Sequence, residues 1–104
     1  MATQNKFLNI SSHIVEHLEG PAIRGSLACD REPYWQPLTE KCHLGYFKSE
    51  SSRIWIARCI VARNDIRDQV IGDVDDSVAA DGLRIMNFHQ ASQGARNWYH
   101  QQMI

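Results

Sequence analysis

RIWIARCIVAR, residues 53–63, alternates two kinds of side chain with a period of two. Trp55, Ala57, Cys59 and Val61 fall on one face, with Arg53 and Arg63 at its ends, while Ile54, Ile56, Arg58, Ile60 and Ala62 fall on the other. The run is rich in β-branched residues and is bounded by Asn64-Asp65, so it reads as a strand. The Trp55 face is the expected core. The face carrying Arg58 is expected to be open, because a mid-strand arginine needs a carboxylate, solvent or a ligand.

Working outward, HLGYFK at 43–48 gives a second strand, followed by the turn-prone Ser49-Glu50-Ser51-Ser52. IRDQVIGDV at 66–74 gives a third. Short polar links between consecutive strands favour an antiparallel meander. Residues 87–101 read as a helix: Asn87 is a good N-cap, Gln90 completes a capping box, and Phe88, Ala91, Ala95 and Trp98 form one apolar stripe. Gly94 weakens that helix by roughly 1 kcal/mol relative to Ala unless close packing onto the sheet requires it. Upstream, Ile10, Ile14 and Leu18 predict a short helix over 8–19, stopped by Gly20-Pro21, and residues 20–33 read as a loop. The expected fold is α+β: a three-stranded antiparallel sheet packed against a C-terminal helix, with a short N-terminal helix. Residues 1–31 form an N-terminal segment and 32–101 the domain proper.

At 104 residues the chain has room for one domain with a modest core. Cysteines at 29, 42 and 59 are odd in number and widely spaced, which points to a reducing cytoplasm rather than a disulfide framework. No C-x-x-C pair suggests zinc, and Asp73, Asp75 and Asp76 lack the glycine and glutamate that a calcium loop needs, so no metal or other cofactor is expected. No apolar stretch is long enough to span a membrane, and the N-terminus lacks the apolar core of a signal peptide. Catalytic motifs are missing too: there is no G-x-S-x-G, no H-E-x-x-H and no phosphate-binding glycine loop, and the five histidines are scattered.

The formal charge of −1 conceals a division. Lys41 to Arg67 holds six basic residues against Glu50 and Asp65, a balance of +4, whereas Asp68 to Gly82 holds five acidic residues and no basic one. Tyr46 and Lys48 share a face of their strand, and beside Arg58 they would make a surface of arginine, lysine and an aromatic ring. Such a surface suits a phosphate backbone or groove. Equally, alternating arginine is commonly a solvated face, and cross-strand Arg–Asp pairs are ordinary.

The order of motifs resembles the N-terminal, arm-site DNA-binding domain of phage and genomic-island integrases, the tyrosine recombinases. The similarity runs from Glu32-Pro33-Tyr34-Trp35 and Pro37-Leu38 through Leu44-Gly45-Tyr46 and Trp55-Ile56-Ala57-Arg58. It continues in Ile71-Gly72-Asp73 and Asp75-Asp76 and ends in Ala80-Asp81-Gly82 and NFHQASQGARNWY. It covers about two thirds of the chain. The resemblance implies a sheet laid on double-stranded DNA, with Tyr46, Lys48 and Arg58 facing it and Arg53 and Arg63 flanking on phosphates. Other integrase domains or protomers would be further partners. The family follows its Gly-Tyr pair with a basic residue, whereas Phe47 intervenes here before Lys48. The recombinase chemistry is missing, since no H-x-x-R occurs, so the chain is expected to be non-enzymatic, either a fragment of a larger integrase or a short stand-alone relative. The competing expectation is a small phage-derived protein-interaction or regulatory domain without DNA binding, using the aliphatic Ile54, Ile56 and Ile60 as a sticky face.

Overall fold

The computed structural model describes residues 13–104. Its elements are α1 (Pro21–Ser26), β1 (Tyr34–Pro37), β2 (Cys42–Lys48), β3 (Arg53–Ala62), β4 (Asp65–Val74), β5 (Ile85–Met86) and α2 (Phe88–Gln102). The fold is α+β, with α2 packed on one face of the sheet. The three expected strands are β2, β3 and β4, paired antiparallel. The sheet is larger than expected, however. It has five strands in chain order, and β5 runs parallel to β4, so it is mixed.

Both additional strands are too short to show a period. β1 ends at Pro37, which closes a strand because it brings no N–H to the ladder. β5 is two residues held by a loop: the Asp81 carboxylate accepts the N–H groups of Leu83, Arg84 and Ile85. Those bonds favour its ionised form and lower the pKa of the carboxyl.

Two expectations upstream of the sheet are overturned. Part of the proposed helix over 8–19 lies outside the described residues, and the rest is not helical. His13 and Val15 run alongside β1, bonding to Trp35 through Trp35 N–H to His13 O and Val15 N–H to Trp35 O, each 2.8 Å. His17 then takes φ 65°, which breaks any helix, and Leu18 is buried in the core while its N–H donates to Gln36 Oε1 at 2.7 Å. The spacing of Ile14 and Leu18 is thus satisfied by an extended path with a kink. The expected loop at 20–33 contains α1, in which Pro21 occupies the first turn. Gly20-Pro21 starts a helix instead of stopping one, since proline at that position loses no intrahelical bond.

The core lies between the sheet and α2. Trp55, Ala57 and Cys59 are fully buried with Leu44, Tyr46, Ala91 and Ala95. Asn87 and Gln90 form the expected capping box, with Gln90 N–H to Asn87 Oδ1 at 2.8 Å and Asn87 N–H to Gln90 Oε1 at 2.9 Å. Gly94 has its packing reason: a Cβ there would lie 3.2 Å from Ile71 Cγ2 on β4.

At the open end of this core sits a buried charge. Arg24 of α1 is 2% exposed, and its guanidinium bonds Asp76 at 2.9 Å, Asp75 at 3.1 Å and the Leu18 carbonyl at 2.7 Å. It also lies 5.4 Å over the Trp55 ring. Asp76 accepts the Tyr46 hydroxyl at 2.6 Å as well. A buried cation that loses its partners costs about 3–5 kcal/mol. Asp76→Asn is therefore expected to destabilise the fold measurably in urea titration, and Arg24→Ala by about 3–5 kcal/mol, since it leaves two carboxylates facing each other.

Candidate nucleic-acid interface

The pairing of β2 with β3 decides which basic residues share a surface. Leu44 opposes Ala57, Tyr46 opposes Trp55 and Lys48 opposes Arg53, whereas His43 opposes Arg58, Gly45 opposes Ile56 and Phe47 opposes Ile54. Directly opposed residues point to the same side of a sheet. Tyr46 and Lys48 therefore lie on the helix side with Trp55, and the expectation that they stand beside Arg58 is corrected. Arg58 shares its face with His43, Phe47 and the three isoleucines of β3.

Tyr46 and Lys48 have structural partners. Tyr46 is fully buried, its ring 5.7 Å from Trp55, and burial together with the Asp76 hydrogen bond pushes its phenol pKa up. Lys48 is buried, and its ammonium donates to the carbonyls of Arg24 at 3.1 Å, Gly25 at 3.3 Å and Leu27 at 2.7 Å. These are the carbonyls at the C-terminal end of α1, where a cation is favoured. Arg53 donates to the carbonyls of Ser49 and, at 3.1 Å, Ser52, and so ties down the β2–β3 turn. Arg63 lies exposed in the two-residue turn between β3 and β4.

Arg58 remains on the outer face, but it is not free. Its Nε and Nη2 bond the two oxygens of Asp68 at 2.7 and 2.8 Å, a bidentate pair across β3 and β4. Its Cζ lies 4.2 Å from the centroid of the Trp35 ring. Trp35 can lie there because its pairing partner on β2 is Gly45. A Cβ on Gly45 would come within 2.7 Å of the Trp35 ring, so the glycine makes room for the indole that carries the guanidinium. Around this stack Ile54, Ile56 and Ile60 are half-buried and Val70 is exposed.

His43 and Trp35 are the site residues that pattern alone did not pick out. His43 is almost buried, its Nδ1 has no hydrogen-bond partner among the described residues, and burial followed by the Arg58 charge lowers its pKa below 6.5. The signal that could have found it is the register, which sequence does not show. Trp35 sits in the Pro-Tyr-Trp motif, but its role depends on β1 being a strand.

Among the described residues no three His, Cys, Asp or Glu side chains gather to hold a metal, and no helix is long and apolar enough to cross a membrane. Comparison with protein-family models, with curated proteins and with solved structures finds no match.

Two outcomes test this arrangement. The unfolded chain protonates His43 near 6.5 and the folded chain only at lower pH, so the unfolded state binds more protons in between. The contribution of neutral His43 to stability is present above 6.5 and lost as pH falls below it; His43→Gln should flatten that part of a stability–pH profile. Gly45→Ala should displace Trp35, cost about 1–3 kcal/mol in denaturant unfolding and alter the near-ultraviolet circular dichroism.

Proposed function

We propose that this chain is a DNA-binding module of the arm-site kind, belonging to a phage or genomic-island integrase, and that it lays the outer face of β2–β3–β4 on duplex DNA. The observation that carries the reading is the posture of Arg58. The guanidinium is held over the Trp35 ring, Asp68 engages Nε and Nη2, and Nη1 has no partner among the described residues. A guanidinium positioned in this way is ready to donate to a phosphate or to a guanine edge. Arg63, at the exposed turn, would add a phosphate contact, and Arg53 would stand beside the opposite turn. Tyr46 and Lys48 act indirectly, by fixing β2 against α1. The ordered motifs from Glu32 to Tyr99 support the same reading.

Asp68 sets the electrostatics of the face. It cancels the Arg58 charge until a phosphate competes for the guanidinium, so it lowers affinity for any nucleic acid and raises the demand for a well-placed contact.

One feature favours a second reading. With Arg58 neutralised, the face is a row of Ile54, Ile56, Ile60 and exposed Val70, which suits a protein partner better than a polyanion.

Fluorescence anisotropy with labelled duplex DNA across a salt series separates the two. Affinity should fall linearly on a log–log plot as counterions are released. Arg58→Ala should weaken binding by about 10-fold, Arg63→Ala should reduce the salt slope by about 1, and Asp68→Asn should tighten binding. No binding at low salt, with a concentration-dependent dimer in sedimentation, would overturn the DNA reading and establish the protein-interaction one.

A further inference from the structure

On the helix side of the sheet, at its β1 edge, a cavity of about 420 Å³ lies between the end of β1 and α2. That is within the range of small-ligand pockets, roughly 300–1,000 Å³. Its lining divides into two kinds. Pro37, Leu38 and Phe88 form an apolar wall, and His89, Ser92 and Arg96 contribute polar groups. Residues 89, 92 and 96 follow the i, i+3, i+7 spacing of one helical stripe, so α2 presents these three side chains in a row.

Two of those groups lack the partners their chemistry requires. Ser92 is 8% exposed and its hydroxyl has no hydrogen-bond partner, although a serine inside a helix can ordinarily return its hydroxyl to the carbonyl one turn back. Arg96 is half-buried and has neither a hydrogen bond nor an ion pair among the described residues. It contrasts with Arg24, Arg58 and Arg67, each of which holds a carboxylate. No Asp or Glu lines the cavity, so nothing within it neutralises Arg96. The charge is felt locally, where it opposes the effect of burial on the Cys42 thiol.

We infer that this cavity binds the carboxylate of a small organic acid with an apolar body. The planar fork of Arg96 matches two carboxylate oxygens side by side. The apolar part of the ligand rests against Pro37, Leu38 and Phe88. A carboxylate fits better than a phosphate because one guanidinium balances one negative charge, and neither lysine nor a second arginine lines the cavity. The site is independent of the DNA reading, lying on the other side of the sheet from Arg58.

The test uses the whole chain without DNA, titrated with benzoate and followed by amide and Arg side-chain NMR shifts. Saturable shifts should centre on Ser92 and Arg96, with benzamide and inorganic phosphate each at least about 10-fold weaker, because the neutral amide forms no charge-assisted pair with the guanidinium and phosphate has no apolar body to rest on Pro37, Leu38 and Phe88. Arg96→Gln should weaken benzoate about 10-fold. Ser92→Ala removes an unpaired buried hydroxyl, so it should unfold at no lower urea concentration than the parent and bind benzoate as the parent does. Non-saturating shifts, equal binding of benzamide or phosphate, or undiminished binding by folded Arg96→Gln would each overturn the proposal.

Discussion

A single buried guanidinium organises one end of this protein. Arg24 is withdrawn from water, and a cation in that position must be surrounded by acceptors. Asp75 and Asp76 beyond the end of β4, the Leu18 carbonyl from the preceding segment and the Trp55 ring beneath supply that environment. Tyr46 meets the same Asp76, and Lys48 reaches the carbonyls of α1 from below. These partners come from separate parts of the chain: the segment before α1, β2, β3 and the exit of β4. The position of α1, the exit of β4 and the orientation of β2 are therefore set together, and the hydrophobic core is closed at that end by polar groups that all have partners.

The contrast with Arg58 is instructive because the two arginines make similar bonds in dissimilar surroundings. The Arg24 partners are well shielded, whereas the Asp68 side chain is 45% exposed. In a shielded site, exchange of a carboxylate for another anion would strand charge in a poor solvent. At the outer face water and salt compete continuously, and such a pair contributes about 1 kcal/mol or less. The same chemistry thus serves as a permanent fastening in one place and as an exchangeable one in the other. That difference is what makes the outer face a candidate for recognition.

Legibility in the sequence followed how far apart the interacting residues lie. β3, β4 and α2 could be read almost to their ends, because strand alternation and the Asn87–Gln90 box are local signals. The choice of Trp55 for the core also followed from period alone. The register of β2 against β3 is not legible in the sequence, since a shift by one residue moves every side chain to the other face, and it is the register that places Tyr46 and Lys48 on the helix side and not beside Arg58. The acidic run was visible as charge, but its distribution between Arg24 and Arg58 depends on tertiary placement. Gly20-Pro21 was ambiguous in principle, because the same dipeptide can end one helix or begin the next.

The clasp around Arg24 also orders events in time. β2, β3 and β4 join through short turns, and Arg58 meets Asp68 only 10 residues along the chain. Arg24 meets Asp76 across 52 residues. Closing the longer loop loses more chain entropy before any contact is gained, so a folding nucleus built from the meander precedes the docking of α1. During refolding, the amide protons of residues 17–27 are therefore expected to gain protection after those of β3.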